Sequence, residues 1–299
     1  MTTKCRSVYP KSQSKKAVEV VAHNQPNSRK IQQKAAVLIV LALGAIILVP
    51  DALAQDGREE GPFEIDKCQT ISQPGSYRLV NNFNFTDLTG TCLAITANFV
   101  TIDLAGFTIT GPLPSGLRTA TAIAAQSSSG NLQGIAVRNG SISNFVSGVA
   151  LRSADGSIVE GLRVFGGCPC IVGIDANGIV RSNIVVGIAS NPATRPGIGI
   201  AATGIVTGNS VSETAQVGIL AGRGSTVIGN TATNGPMTVG ILVGCPSNVT
   251  DNTAVNNTGN LMLVGDGCTN TNNVAPGAAP GVSSLPPAVL SLMADRGLL

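Results

Sequence analysis

Short apolar stretches recur along the chain, each closed by small polar residues and a Gly or Asn. Aligned on their first apolar residue they read Val137-Arg-Asn-Gly-Ser-Ile142, Val159-Glu-Gly-Leu-Arg-Val164, Val180-Arg-Ser-Asn-Ile-Val185, Val206-Thr-Gly-Asn-Ser-Val211, Val227-Ile-Gly-Asn-Thr-Ala232 and Val249-Thr-Asp-Asn-Thr-Ala254. Asn270-Thr-Asn-Asn-Val-Ala275 closes the series. The anchors step by 22, 21, 26, 21, 22 and 21 residues. The long step contains Asn191 to Pro196, which reads as a loop insertion. An earlier unit starts at Ile102, with Gly111 to Leu117 as its excursion. A second apolar strand precedes several anchors, as in Gly148 to Leu151, Gly218 to Leu220 and Gly240 to Leu242.

Two columns define the register. The sixth position is Ile142, Val164, Val185, Val211, Ala232, Ala254 and Ala275, apolar throughout and shrinking toward the C-terminus. Such a column must face inward and stack on itself. The fourth is Asn183, Asn209, Asn230, Asn252 and Asn273. Asparagine tolerates left-handed backbone and hydrogen-bonds nearby peptide groups, so this column predicts a stacked bend between strands. Short strands in coils of 21 to 22 residues predict an all-β fold, a single-stranded right-handed parallel β-helix of about eight coils. Hexapeptide, leucine-rich and calcium-binding glycine repeats fail on spacing or motif.

The rest of the chain divides around this solenoid. Ala35 to Val49 is an unbroken apolar run after Arg29, Lys30 and Lys34, and Ala52-Leu53-Ala54 before Gln55 has the small-x-small form of a cleavage site. The run is short for a membrane anchor. Residues 1–54 are therefore expected to be a signal peptide with a long basic leader, and 55–67 a linker. Residues 68–111 are expected to form an N-terminal cap and first coil, 112–275 the coils, and 276–299 a Pro/Ala-rich tail. In that tail, Pro280 to Pro287 reads as a connector and Ala288 to Met293 as an apolar turn over the last coil. The mature chain is expected outside the cytoplasm, secreted, periplasmic or in the envelope, free of the membrane and monomeric.

Composition narrows function. There is no Trp, and the 299 residues include two Tyr, seven Phe and 36 Gly. The formal charge of +3 comes from the leader, since residues 55–299 carry 11 basic and 14 acidic side chains, a net −3. No basic patch with interleaved aromatics exists, which argues against nucleic acid. The one histidine, His23, lies in the leader, leaving none for general base or metal ligand in the mature chain. Beyond Cys5 there are six cysteines, an even number that reads as disulfides in an exported chain. Six allow 15 connectivities, of which the most economical is Cys68–Cys92, Cys168–Cys170 and Cys245–Cys268.

At Cys68-Gln-Thr-Ile-Ser-Gln-Pro-Gly-Ser-Tyr-Arg-Leu79, Cys92 and Val100-Thr-Ile-Asp-Leu-Ala-Gly-Phe-Thr-Ile-Thr-Gly111, the chain resembles bacterial secreted right-handed β-helix repeat proteins, the pectate-lyase-like superfamily. The resemblance covers residues 62–275 and departs at Ala105, where the family's turn has Asn. It implies the fold rather than one activity, because the superfamily holds lyases, glycosidases, epimerases and proteins without a reaction. The Asn-Thr-Asp, Asp-Asp, Gly-His-Gly and Arg-Ile-Lys motifs of polygalacturonase-like hydrolases are absent, as are a Gly-x-Ser-x-Gly elbow and a phosphate loop. Pectate-lyase-like enzymes use clustered carboxylates for calcium and an arginine base. Here Asp155 and Asp175 fall near one turn of adjacent coils with Arg152 close by, the one constellation with catalytic potential. It lacks the further carboxylate that a calcium cage wants. A second charged column follows the anchors as Asp103, Arg138, Glu160 and Arg181, and reads as an ion-pair ladder rather than a polyanion groove because its signs alternate. The expectation is a non-catalytic protein that binds polysaccharide or lies at the envelope surface, with no cofactor. The alternative is a divergent polysaccharide lyase or glycoside hydrolase, the lyase requiring Ca2+.

Overall fold

The computed structural model describes residues 61–112, 119–128, 130–166, 172–189, 197–235, 239–277, 285 and 287–298. The leader, the Cys168–Cys170 pair and the insertion at Asn191 to Pro196 lie outside them. So does most of the excursion after Gly111.

Each coil contributes up to three short strands to three parallel sheets, and the chain makes a parallel β-solenoid of about eight turns. One representative coil runs Val239–Gly244, Asn248–Thr250, Thr253–Val255, in the first, second and third sheet respectively. The anchors pair in register through the second sheet as Ile102, Val137, Val159, Val180, Val206, Val227 and Val249. The shrinking column pairs through the third as Ile109, Ile142, Val164, Val185, Val211, Ala232 and Ala254. Both columns are buried in one continuous core. Stacked β-branched side chains suit this arrangement, because each packs on its own counterpart about 4.8 Å away in the next rung.

A further coil precedes the one at Ile102. Gln69–Ile71, Gly75–Leu79 and Phe83–Asn84 pair with the strands of the next turn, and Phe63–Ile65 pairs with Gly75–Leu79. Among the described residues the solenoid therefore starts at Phe63. Its first steps, 24 residues from Gln69 to Leu93 and 25 from Tyr77 to Ile102, lack the Asn signature and so escaped the repeat.

The asparagine column is a bend, as expected, but by a different device. The left-handed residue is the one before it: Ser182, Gly208, Gly229, Asp251 and Asn272, with φ between 54° and 62° for all but Gly229 at 64°. The asparagines that follow turn inward, and Asn183, Asn209, Asn230 and Asn252 are buried. Each side chain serves two coils. Asn230 Nδ2 donates to the Val206 carbonyl at 2.8 Å and to Asn252 Oδ1 at 3.0 Å. Its Oδ1 accepts from the Asn209 backbone N–H at 3.0 Å and from Asn209 Nδ2 at 2.9 Å. The amides thus satisfy peptide groups that leave the sheet ladder at the corner, where a buried orphan would be costly.

Disulfides Cys68–Cys92 and Cys245–Cys268 join neighbouring rungs near the two ends of the described solenoid. Terminal coils have a neighbour on one side only, so fraying starts there. Closing loops of this length stabilises by about 3 kcal/mol each in the chain-entropy account.

The tail folds differently from expectation. Pro287–Asp295 is a helix and packs on the outer face of the first sheet rather than over the last coil. That face is apolar through Ile198, Val217 and Val239, and through Ala201, Leu220, Leu242 and Met262, and these residues are buried beneath Leu285, Val289, Met293 and Leu298. Pro287 suits the first helical position, whose N–H has no partner. Gly297, at φ 65°, closes the other end: its N–H donates to Ala294 and that of Leu298 to Met293, both at 2.9 Å.

Replacing Asn230 with Ala leaves peptide groups unpaired in two corners. It is expected to lower unfolding stability by about 3 kcal/mol, read from the urea midpoint, and an unchanged midpoint would show the ladder to be dispensable.

Candidate functional site

The register extends the charged column beyond what the spacing indicated. Glu64, Arg78, Asp103, Arg138, Glu160 and Arg181 lie opposite one another in successive rungs of the second sheet, and Thr207 ends the run. Arg138 Nε stands 3.3 Å from Asp103 Oδ2, and Arg181 meets Glu160 through Nε at 2.6 Å and through a terminal nitrogen at 2.5 Å. Six alternating charges neutralise each other along the face. This is a register device, as its alternating signs suggested, and it leaves no excess charge to hold a polyanion. Glu64 and Arg78 were missed because they sit ahead of the recognisable repeat.

The constellation Arg152, Asp155 and Asp175 separates into two settings. Asp175 lies in the outer row of the first sheet, between Ala150 and Ala201. There it forms an ion pair with Arg296, whose side chain is only 3 % exposed. Burial pushes the Asp175 carboxyl above the usual carboxylate range, while Arg296 and, more weakly, Arg152 pull it back. Arg152 donates to the Asp295 backbone carbonyl at 2.7 Å and has a terminal nitrogen 3.9 Å from the Asp295 carboxylate. A cation on the last carbonyls is favourable at a helix C-terminus. Two of the three residues thus hold the C-terminal helix. Arg296 and Asp295 lie more than a hundred residues away in sequence, and the visible hint was a lone acid within the apolar run Val172 to Ala176.

Asp155 takes other partners. It pairs with Gln133 in a small two-stranded sheet, Leu132–Gln133 with Ala154–Asp155, at the corner between the first and second sheets. Its Oδ1 accepts from Asn131 Nδ2 at 3.1 Å. Among the described residues no group of three His, Cys, Asp or Glu side chains is placed to hold a metal ion.

The remaining outer faces are broad and weakly charged. Ser210, Thr231 and Thr253 form one row on the third sheet, beside Ser212 and Thr233. Thr226, Asn248 and Thr269 form another on the second, with Thr269 Oγ1 donating to Asn248 Oδ1 at 2.6 Å. A depression of about 390 Å³ lies at the last described coil, lined by Leu261, Leu263, Asn270, Asn273, Ala275 and Gly277.

No family model and no curated protein matches the chain. Among solved structures it is similar to XylC in complex with xylose, at 13 % identity over 61 % of this chain and 38 % of that one, TM-score 0.44. It is similar also to the enzymatically active domain of bacteriophage CBA120 tailspike protein 2, at 12 % identity over 69 % and 43 %, TM-score 0.40. The chain spans less than half the length of either. No described helix is long and apolar enough to cross a membrane.

Two outcomes follow from these contacts. Glu160→Arg sets three arginines in consecutive rungs. It is expected to reduce stability by about 1 kcal/mol, with the loss shrinking in 1 M salt, and a salt-independent loss would contradict the electrostatic account. Arg296→Ala strands a buried carboxylate and should weaken helix docking by about 3 kcal/mol, seen as faster amide exchange across Pro287–Asp295. Pairing Asp175→Leu with Arg296→Met should restore protection, because desolvation outweighs attraction at this pair.

Proposed function

We propose that this chain is an exported β-helix protein that binds polysaccharide without chemically altering it. The observation that carries the reading is the run of aligned hydroxyl and amide side chains on the second and third sheets. The rows Ser210, Thr231, Thr253 and Thr226, Asn248, Thr269 each run over three successive rungs, about 4.8 Å apart. Such a surface offers a regular series of donors and acceptors to a hydroxyl-rich polymer, and its low charge suits a neutral one. The two disulfides support an oxidising compartment, outside the cytoplasm or in the envelope.

Catalysis has less support. In the lyase reading, Arg152 acts as base and Asp175 as a calcium ligand, with Ca2+ as cofactor. Both side chains are engaged by the C-terminal helix, and Asp155 lies in a separate setting with Asn131 and Gln133.

Native gels cast with soluble arabinoxylan, galactomannan, hydroxyethyl cellulose, alginate or polygalacturonate distinguish the readings. Retardation by a neutral polymer is expected, with no rise in absorbance at 235 nm when polygalacturonate or alginate is incubated with the chain and calcium. An absorbance rise that Arg152→Ala abolishes would establish the lyase instead.

A further inference from the structure

At the corner between the first and second sheets, three consecutive coils place a left-handed residue at the same height. These are Phe99, Gly134 and Gly156, with φ of 55°, 65° and 63°. The equivalence is set by the backbone, since the Phe99 N–H donates to the Gln133 carbonyl at 2.8 Å and the Gly134 N–H to the Asp155 carbonyl at 3.1 Å. Glycine adopts this conformation freely, whereas a bulky aromatic there is a strained outlier. Two coils use glycine, and the third holds a phenyl ring. Such strain persists only where the surroundings enforce it, and it gathers at functional positions.

The surroundings do enforce it. Phe99 is tied to the coil on each side, because its carbonyl also accepts from the Gly75 N–H at 3.1 Å. The preceding Asn98 fixes the bend through Oδ1, which accepts from the Gln133 N–H at 2.9 Å. The ring nevertheless stays outside the core: Phe99 is 63 % exposed, the most exposed of the large apolar residues described. It lies against Gly134, where an added Cβ would come 2.7 Å from a ring carbon. Next along the row, Gly156 faces open space. Beside this shelf the residues one step earlier, Asn98, Gln133 and Asp155, form a polar row, all exposed. Asn131 steadies Asp155 at 3.1 Å.

A rigid, exposed aromatic face bordered by a few fixed polar groups is the composition of a small-molecule recognition site. We propose that the Phe99 shelf is a carbohydrate-binding subsite for an uncharged glycan, with one sugar ring on the phenyl and glycine surface. The flanking carboxylate, an acceptor when ionised, receives sugar hydroxyls, and the amides both donate and accept. A uronic acid polymer would meet the like charge of Asp155. The inference rests on the polysaccharide-binding reading and gives it a location away from the hydroxyl rows.

Affinity electrophoresis of the full chain in arabinoxylan, galactomannan and hydroxyethyl cellulose tests it. At least one of these polymers is expected to retard the wild-type chain. Phe99→Asn, which suits left-handed backbone and removes the ring, should weaken retardation at least tenfold without lowering Tm. Phe99→Tyr should bind as wild type, and Asp155→Ala should lose about tenfold. Retardation of Phe99→Asn within twofold of wild type overturns the subsite. If the Thr231→Val, Thr253→Val double variant then loses binding, the polysaccharide reading stands without it. If none of the three polymers retards the wild type, both readings fall.

Discussion

The described solenoid rests on the in-register stacking of parallel strands at a spacing of about 4.8 Å. Each residue has as its closest neighbours the residues at the same position one coil above and one below. A position must therefore be compatible with copies of itself, or with a complement. Apolar positions meet this by interdigitating, as in the column from Ile109 to Ala254. The buried asparagines meet it through amides that both donate and accept, so identical side chains hydrogen-bond to each other. Charges cannot stack on their own kind, and the row from Glu64 to Arg181 alternates accordingly.

The same constraint explains how the first sheet differs from the other two. Its outer row begins with Thr70, Ala94, Ala124 and Ala150 and becomes Ala201, Leu220, Leu242 and Met262 after Asp175. A large apolar strip on a flat sheet needs cover, and the C-terminal helix supplies it. Asp175 lies two rungs before the large residues begin at Leu220, and with Arg152 it sets where the helix ends. A buried ion pair of this kind contributes placement rather than net stability, since desolvation outweighs its attraction.

A solenoid of this design offers long surfaces rather than a closed cleft. The hydroxyl rows and the Phe99 shelf belong to different coils, and they differ in kind. The rows arise from repetition and are tolerant of exact register with a ligand. The shelf arises from a break in repetition, one aromatic where the neighbouring coils have glycine. In a structure built on like above like, a position that departs from its column at an energetic cost is where a specific contact is to be sought.

How much of this was legible in the sequence depended on whether the information was periodic. The anchors, the inward column, the asparagine bend and the last four charges of the ladder are repeats, and spacing alone brings them together, because stacking turns a shared position in the repeat into a spatial contact. Asp155 and Asp175 fell near one turn by the same logic, yet a change of coil path at the corner sends one toward Gln133 and the other beneath the helix. The left-handed site one residue before each asparagine, the unrepeated first coil and the pairing of Asp175 with Arg296 emerged only in three dimensions. The chain by itself determined a solenoid and its register, since those depend on local periodicity. Tertiary structure decided which face is covered and which aromatic is left outside, since those depend on where a non-repeating tail docks and how single corners bend.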